Sequence, residues 1–319
     1  MVGNPVRWGI MGTGGIAGAF AADLLLTDSG TVVAVGSRSQ ASADAFADRL
    51  GIERRHASYE DLAADPDIDA VYVATPHPLH HANALLALHA GKPVLVEKPF
   101  TMNAVEAREL VKVARDNNVF LMEAMWTRFL PNIRKVRELV GGIGDIVTVT
   151  ADHGQWFAEN AEHRLFAPAL GGGALLDLGV YVVSFASMVL GRPNRIVSMI
   201  DPAFTGVDGQ TSMIFGYESG AQAVLTCTLR AKSPTRATIV GTDGRIEIDG
   251  SFYGPATVTL TPRVGEPTVI PSVHEGRGLR HQADEVALRL AAGETESPLM
   301  PLDETVSIME TMDAVLAQR

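Results

Sequence analysis

The chain of 319 residues has the length of about two domains. Hydrophobic residues make up 46% of it, which is enough for sizeable cores and excludes a disordered or fibrous protein. The formal net charge is −11, so a nucleic-acid-binding surface is not expected. The single cysteine, Cys227, cannot form an internal disulfide, and this favours a cytoplasmic protein.

Two apolar stretches are candidates for a targeting or membrane segment. Residues 8–22 carry five glycines, which the helix of a signal peptide tolerates poorly. Residues 71–91 lack Lys, Arg, Asp and Glu but contain Pro76, Pro78 and four histidines. We therefore expect neither a signal peptide nor a membrane span, and no membrane partner.

In the N-terminal part, short β-branched runs alternate with longer Ala- and Leu-rich runs. This order is typical of a parallel sheet with crossover helices and predicts an α/β domain over residues 1–124. The predicted strands cover residues 5–11, 31–36, 69–74, 93–96 and 119–123. The predicted helices cover residues 16–26, 42–50, 79–89 and a segment after Asn103.

Beyond Trp126 strand-like runs follow one another directly. They cover residues 146–152, 195–200, 211–217, 222–230, 237–240, 245–249 and 256–262, with helices over 175–190, 279–292 and 303–316. Bunched strands predict a large, mainly antiparallel open sheet in an α+β domain over residues 125–319. No low-complexity linker separates the two domains, so we expect them to join near residue 124.

A glycine-rich turn follows the first predicted strand and opens the first helix. Glycines in such a turn let backbone N–H groups approach a pyrophosphate at a helix N-terminus. Gly-rich turns also occur in ordinary loops, but the strand–turn–helix context favours a dinucleotide site. The residues of this Gly-x-Gly-x-x-Ala turn are Gly12, Thr13, Gly14, Gly15, Ile16 and Ala17.

The end of the second predicted strand indicates which dinucleotide binds. NAD sites usually place an acidic residue there for the ribose hydroxyls, whereas this chain has Ser37 and Arg38. An arginine with flanking hydroxyls suits a 2′-phosphate, which favours NADP(H), with NAD(H) as the alternative cofactor. The competing interpretation is that Arg38 is a solvated loop cation.

Two further motifs carry candidate acid–base groups. Glu97, Lys98 and Pro99 end a strand, where open α/β sheets bind ligands, and a partly desolvated lysine gives up a proton more readily than a surface lysine. Asp177 and Tyr181 share one face if the segment from Leu175 is helical. The alternative for Glu97 and Lys98 is a surface ion pair at a strand end. The alternative for Asp177 and Tyr181 is a glycine turn followed by a buried amphipathic helix.

Together these motifs resemble the Gfo/Idh/MocA family of NAD(P)-dependent oxidoreductases over essentially the full chain. The similarity is greatest to the branch of dihydrodiol dehydrogenases and NADP-dependent xylose dehydrogenases. Many members of the family have histidine where this chain has Tyr181, and that branch shares the tyrosine. The segments that carry the resemblance are residues 12–17, 74–80, 90–99, 121–129 and 171–181.

The resemblance implies a Rossmann domain followed by a domain whose open sheet makes a homodimer or homotetramer. It implies that Lys98 and Tyr181 are the acid–base pair and that Asp177 orients them. It also implies a cofactor groove that includes Thr75, Pro76, His77, His80, Glu97 and Lys98. His77, His80 and His81 have metal-ligand spacing, but the segment offers no Cys, Asp or Glu, so no metal is expected.

Several residues are candidates for the substrate pocket. An aromatic wall suits a sugar face and an arginine holds hydroxyl or carbonyl oxygens, although Trp126 equally suits an interdomain core. The candidates are Trp126, Arg128, Phe157, Arg164 and Tyr181. Phe157 and Arg164 are chosen only because they precede the glycine turn.

The sequence thus predicts an NADP(H)-dependent dehydrogenase that moves a hydride to or from the carbinol carbon of an aldose or a cyclic trans-diol. Two other functions remain open at this point. One is a non-catalytic regulator that senses a dinucleotide. The other is a redox-neutral enzyme with a tightly held cofactor, such as an aldose–aldose oxidoreductase.

The cofactor prediction is tested by the substitution Arg38→Ala. We expect the variant to lose its preference for NADP⁺ over NAD⁺, because the 2′-phosphate loses its cationic partner. The measurement is KM for both dinucleotides in the wild type and the variant. An unchanged preference would contradict the assignment of Arg38.

Overall fold

The computed structural model describes residues 4–272 and 275–319. The chain divides into two compact units. The first comprises Met1–Phe129 and Glu275–Thr305, and the second comprises Leu130–His274 and Val306–Arg319. The first unit thus includes Glu275–Thr305, which the predicted division near residue 124 assigns to the second domain. Strands and helices are numbered below in chain order.

The first unit contains one fully parallel six-stranded sheet in the order β3-β2-β1-β4-β5-β6. This is the strand order of a dinucleotide-binding Rossmann fold, and it confirms the predicted doubly wound parallel sheet. The strands are β1 Val6–Met11, β2 Gly30–Gly36, β3 Arg54–His56, β4 Ala70–Val73, β5 Val94–Glu97 and β6 Leu121–Ala124. Its first helices are α1 Gly15–Leu24, α2 Gln40–Leu50, α3 Tyr59–Ala64, α4 His80–His89 and α5 Ala104–Asp116.

The second unit begins with α6 (Pro131–Leu139) and contains an eight-stranded sheet in the order β14-β13-β12-β11-β7-β10-β9-β8. Every pair is antiparallel except β7 and β10, which confirms the predicted mainly antiparallel sheet. The strands are β7 Ile146–Gly154, β8 Arg195–Pro202, β9 Asp208–Gly216, β10 Gln222–Thr228, β11 Ala237–Gly241, β12 Gly244–Ile248, β13 Val258–Pro262 and β14 Thr268–Ile270.

The later helices are α7 (Val180–Leu190), α8 (Arg280–Ala291) and α9 (Leu302–Leu316). The sequence does not predict β3, α3, α6 or β14. The strand β3 consists of Arg54, Arg55 and His56 and has no apolar run to mark it. It forms only because the edge of β2 offers hydrogen-bonding partners.

The predicted single helix over 175–190 is partly wrong. Leu175–Gly179 is a π-helix, and the α-helix α7 begins only at Val180. The apolar stretch Pro168–Leu190 is long enough to cross a membrane, but 78% of its most apolar window is buried inside the protein. Such burial is typical of a core helix, and α7 packs against β7 and β10.

The core of the first unit is built around aromatic rings. Trp8 on β1 meets Phe20 on α1 edge to face, with ring centroids 5.4 Å apart. Phe20 in turn stacks on Tyr72 of β4 at 4.0 Å. All three are fully buried, and each large buried side chain contributes about 1.5–3 kcal/mol through area removed from water. This cluster holds α1 against the strands that flank the glycine turn.

Buried charge accumulates at the end of β6. Glu123 is 1% exposed, and its Oε2 accepts a hydrogen bond from the Thr305 hydroxyl at 3.2 Å. Arg128, also 1% exposed, donates from Nη2 to Oε1 of Glu304 at 2.7 Å. Burial raises the pKa of Glu123 to about 7, and the Thr305 hydroxyl and Arg128 only partly oppose this. Near neutral pH the first unit therefore contains a carboxyl group that readily holds a proton.

The raised pKa of Glu123 predicts a pH-dependent stability. Between about pH 4.5 and pH 7 the folded chain holds a proton that the unfolded chain has released, so stability falls as the pH rises. The loss is about 3 kcal/mol for a shift of this size. Glu123→Gln stays neutral at every pH and should remove this component, as measured by urea unfolding near pH 5 and near pH 8.

The matched control is Glu53→Gln, which changes an exposed glutamate of the same unit. It should keep the pH dependence of the wild type. If Glu123→Gln also keeps it, Glu123 is ionised in the folded protein and the prediction is wrong.

Candidate active site

The glycine turn between β1 and α1 has the backbone geometry of a phosphate cradle. Gly12 has φ +111°, and a Cβ there would lie 2.7 Å from the carbonyl oxygen of Ala74, so only glycine fits. A Cβ on Gly14 or Gly15 would meet no atom within 4 Å. At Gly12 the turn therefore packs closely against Ala74, which follows β4, whereas no protein atom crowds the turn at Gly14 and Gly15.

The open side coincides with the N-terminus of α1. The helix begins at Gly15, and the residue before it, Gly14, provides no side-chain cap. The first N–H groups of the helix therefore remain available, and the helix dipole favours an anion there. Ala17, which replaces the third glycine, is fully buried, while Thr13 and Ile16 are half-buried. These residues fit the pyrophosphate of a dinucleotide.

The end of β2 carries the two residues predicted to select the cofactor. Ser37 is buried and Arg38 is exposed. Burial raises the pKa of Tyr59, and the nearby charge of Arg38 opposes this, which locates the guanidinium beside the start of α3. Ser39 next to it caps α2 by accepting a hydrogen bond from the N–H of Ser42. An exposed guanidinium at this strand end fits a 2′-phosphate.

A buried histidine joins the ends of β4 and β5. The Nε2 atom of His80 lies 2.8 Å from the carbonyl oxygen of Thr75, and its Nδ1 atom lies 2.8 Å from that of Pro99. Both partners are acceptors, so a neutral ring donates to only one of them at a time. Full burial lowers the pKa of His80. The ring thus lies between the segments that follow β4 and β5, while His77 and Pro76 lie nearer the surface.

The predicted Glu-Lys-Pro corner lies at the carboxyl end of β5. Glu97 is 4% exposed and accepts hydrogen bonds from the Tyr72 hydroxyl and, at 3.1 Å, from the N–H of Lys98. Lys98 is half-buried, and the Lys98–Pro99 peptide is cis. Glu97 is therefore buried at the end of β5, while Lys98 is partly accessible to solvent.

The two substrate candidates of the first unit are both buried. Trp126 is 6% exposed and begins the 3₁₀ helix Trp126–Phe129. Arg128 is engaged by Glu304, as described above. This environment favours a structural role for the guanidinium, and the predicted contacts of both residues with substrate stay predictions.

In the second unit the structure brings two predicted residues together. Arg164 donates from Nη1 and Nη2 to the two carboxylate oxygens of Asp177, at 2.9 and 3.3 Å. The Asp177 side chain is 5% exposed and that of Arg164 is 54% exposed. Phe157 is half-buried, and its ring lies 5.8 Å from that of His163. The sequence analysis does not predict the fork pairing of Arg164 and Asp177. It gives Arg164 as a candidate for the substrate pocket and Asp177 as a residue that orients the acid–base pair.

The π-helix that carries Asp177 is anchored by a buried carboxylate. Asp208 is 4% exposed and accepts a hydrogen bond from the N–H of Leu175 at 2.6 Å. Gly173 has φ +128°, and a Cβ there would lie 2.1 Å from Asp208 Oδ1. Burial raises the pKa of Asp208 to about 6, against the opposing hydrogen bonds from Leu175 and Thr211. The glycine turn thus makes room for the group that fixes the start of this helix.

Tyr181 lies in a cluster of three rings. Its centroid is 5.3 Å from that of His153 and 5.0 Å from that of Tyr253, and the last two rings stack at 4.4 Å. Tyr181 is 7% exposed and His153 is 1% exposed. An i, i+4 argument could place Tyr181 near Asp177, but only the packing of α7 against β7 brings His153 beside it.

Sequence reasoning missed Glu123, Asp208, His153 and Tyr253. The signal for Glu123 was its place at a strand end, like that of Glu97. The signal for His153 was similar, because it lies near the end of β7. Among residues 4–272 and 275–319, no three His, Cys, Asp or Glu side chains are grouped closely enough to hold a metal ion.

Comparison with known proteins agrees with this geometry. The sequence model of an oxidoreductase family with an NAD-binding Rossmann fold, GFO/IDH/MocA, matches residues 6–125. The model of the GFO/IDH/MocA C-terminal domain matches residues 133–247. The two matches fall on opposite sides of the residues where the first unit gives way to the second.

Full-length relatives extend the similarity. The chain is 37% identical to trans-1,2-dihydrobenzene-1,2-diol dehydrogenase of Xenopus tropicalis, over 98% of this chain and 97% of the relative. It is 36% identical to D-xylose 1-dehydrogenase (NADP(+)) of Hypocrea jecorina, over 99% and 93%. A 3-ketoreductase from Actinomadura kijaniata, solved with NADP and TDP-benzene, superposes with a TM-score of 0.86 at 28% identity, over 99% and 98%. The predicted resemblance is confirmed, and the chain belongs to the GFO/IDH/MocA family of oxidoreductases.

Proposed function

We propose that this protein is an NADP(H)-dependent dehydrogenase that oxidises a carbinol carbon of an aldose or of a cyclic trans-diol, or reduces the corresponding carbonyl. The observation that carries the proposal is identity of 36–37% over nearly the whole chain to a dihydrodiol dehydrogenase and to an NADP-dependent xylose dehydrogenase. Both relatives are named for the oxidation of a CH–OH group.

The first unit would hold the cofactor. The N–H groups at the start of α1 would bind the pyrophosphate, and Arg38 with Ser37 would bind the 2′-phosphate. Thr75, Pro76, His77 and His80 follow β4 at the same edge of the sheet, so they would line the rest of the groove. A bound nicotinamide supplies the hydride acceptor or donor at its C4 carbon.

Lys98 and Tyr181 would perform the acid–base chemistry. In the oxidative direction the phenol oxygen of Tyr181, as phenolate, takes the hydroxyl proton while the C–H bond electrons leave as hydride, and a C=O bond forms. Lys98 would be the other proton-transferring member of this pair. Asp177, fixed by the fork of Arg164, would keep the segment before Tyr181 in place.

Residues of both sequence motifs and glycine-turn flanks would bind the substrate. Trp126 and Phe157 would supply apolar walls for the ring face of a sugar or diol. Arg164 keeps half of its side chain exposed beside Asp177, so it could also meet substrate oxygens. Arg128, which is paired with Glu304, would hold a hydroxyl or carbonyl oxygen of the substrate.

The proposal is tested by following the absorbance of reduced nicotinamide with NADP⁺ or NAD⁺ and D-xylose, D-glucose or trans-1,2-dihydrobenzene-1,2-diol. Growth of NADPH with one class of substrate would support it and identify the class. A cofactor that survives gel filtration, with no turnover, would instead favour a redox-neutral reaction.

Lys98→Met and Tyr181→Phe should each lower kcat by about 10²-fold or more, because each removes a proton-transferring group. The affinity for NADPH, measured by fluorescence titration, should change little in Tyr181→Phe. Full turnover in both variants would discard this acid–base assignment.

We further propose a homodimer or homotetramer formed through the outer face of the second unit's sheet. Apolar side chains are exposed on neighbouring strands there: Val197 and Met199 on β8, Ile214 on β9 and Val224 on β10 are 50, 77, 49 and 40% exposed. The register pairs Val197 with Ile214 and Ile214 with Val224, so three of them form one row. A row of this kind is typical of a protein interface.

Met199→Asp should lower the mass measured by sedimentation, because it introduces a charge into this face. The control Val264→Asp changes a residue that is 87% exposed in the turn between β13 and β14. A monomeric wild type, or an unchanged mass in Met199→Asp, would count against the interface.

A cytoplasmic location is proposed on the chemistry of the one cysteine. Cys227 is buried and reduced in the second unit, and burial raises the pKa of its thiol. It contributes packing and no disulfide.

A further inference from the structure

Tyr181 is enclosed by two rings that come from distant parts of the chain. His153 lies near the end of β7, and Tyr253 lies in the loop between β12 and β13. The His153 ring meets Tyr181 at a steep angle of 60°, whereas His153 and Tyr253 are nearly parallel at 22°. Tyr253 contacts Tyr181 directly as well, at an interplanar angle of 40°. Each ring of the cluster therefore contacts both of the others.

The two flanking rings are themselves fixed. The His153 Nε2 atom lies 3.0 Å from the side-chain nitrogen of Gln155. Next to Tyr253, the fully buried ring of Phe252 packs edge to face on Phe185, with centroids 5.5 Å apart. Phe185 lies one turn beyond Tyr181 on α7. The loop that carries Tyr253 is thus attached to the same helix that carries Tyr181.

The backbone of this loop is held as well. The N–H of Phe252 donates to the carbonyl oxygen of Thr235 at 3.0 Å. The side chain of Asn132, which is 8% exposed, donates to the carbonyl oxygen of Gly254 at 3.2 Å. Tyr253 lies between these two attachments, so its ring is presented in one place.

The chemistry of the cluster argues against simple core filling. Leucine would fill similar space without placing a flat ring beside Tyr181. Here His153 is 1% exposed and Tyr253 is half-buried, and the ring of each contacts that of Tyr181, which is 7% exposed. Aromatic pairs adopt preferred geometries, so these contacts fix the orientation of the phenol ring and do not only fill volume.

We propose that His153 and Tyr253 are positioning residues for the phenol of Tyr181, and that their ring contacts hold its oxygen in the orientation needed for proton transfer. This inference rests on the proposed function, in which Tyr181 exchanges that proton. Flanking rings on two sides prevent the Tyr181 ring from swinging between side-chain rotamers. A displacement of about 1 Å at a reacting group can cost about 10²-fold in rate.

The experiment compares truncation with ring replacement at both positions. His153→Ala and Tyr253→Ala should lower kcat for NADP⁺-dependent oxidation of D-xylose or trans-1,2-dihydrobenzene-1,2-diol by about 10- to 100-fold. The affinity for NADPH should stay unchanged. His153→Phe and Tyr253→Phe should restore most of kcat, since they keep a ring.

Two readouts separate positioning from folding. In the alanine variants a deuterium at the oxidised carbon should slow kcat more than in the wild type, because proton and hydride transfer become rate-limiting. Tyr217→Ala is the matched control: it removes a buried tyrosine of the same unit just beyond the end of β9, the end remote from Asp208. It should lower the Tm but leave kcat per folded enzyme and the isotope effect unchanged.

The inference and the proposed function fail differently. If Tyr181→Phe keeps full turnover, the acid–base assignment is wrong. If Tyr181→Phe is inactive but the alanine variants keep the kcat and isotope effect of the wild type, only the positioning role is overturned. Failure of both phenylalanine variants to restore kcat would also overturn a role based on ring contact.

A readout without turnover covers the case in which neither substrate reacts. The double variant with His153→Ala and Tyr181→Ala should lose less Tm than the sum of the losses in the two single variants, because the two rings stabilise each other. Additive losses would mean that the rings are not coupled and would overturn the inference.

Discussion

The parallel register of the first unit's strands is the constraint on which its binding groups depend. Six strands that run in one direction place all their carboxyl ends at one edge. The glycine turn, the Arg38 loop, Thr75 and Lys98 each follow a different strand, and Lys98 lies 86 positions after Gly12 along the chain. Only the hydrogen-bonded register brings these strand ends to one edge of the sheet, and the rings of Trp8, Phe20 and Tyr72 hold α1 onto that sheet.

In the second unit a single buried carboxylate has the comparable role. Asp208 occupies the space that Gly173 leaves by having no Cβ, and it accepts the N–H of Leu175. This hydrogen bond fixes the start of a π-helix, a form that often occurs at functional sites. Asp177 in that helix then meets Arg164, and Tyr181 follows at the start of α7. The glycine turn and the proposed acid–base residue are thus parts of one local arrangement.

The first unit buries two carboxyl groups at the strand ends where its chemistry is proposed. Glu97 and Glu123 lie at the ends of neighbouring strands, and each accepts a hydrogen bond from a hydroxyl, that of Tyr72 and that of Thr305 respectively. Burying carboxyl groups costs stability unless they are hydrogen-bonded or hold a proton. A core built only for stability would have apolar residues at these strand ends, so the acidic residues indicate a region organised around polar chemistry.

The sequence by itself determined the fold class, the family and the groups that follow individual strands. Gly12, Arg38 and Lys98 were predictable because a turn, a strand end and a Pro-flanked lysine are local patterns that depend on neighbouring residues alone. Periodicity also predicted a helix through Tyr181, although not its π-helical start, since that depends on Asp208 more than thirty residues away.

Only the tertiary structure decided which distant side chains meet. The pairing of Arg164 with Asp177, the burial of Arg128 against Glu304 and the packing of His153 and Tyr253 on Tyr181 all depend on sheet register and loop attachment. No local pattern encodes these contacts. The period of a helix or strand relates residues within one element, whereas each of these contacts joins residues that packing brings together from different parts of the chain.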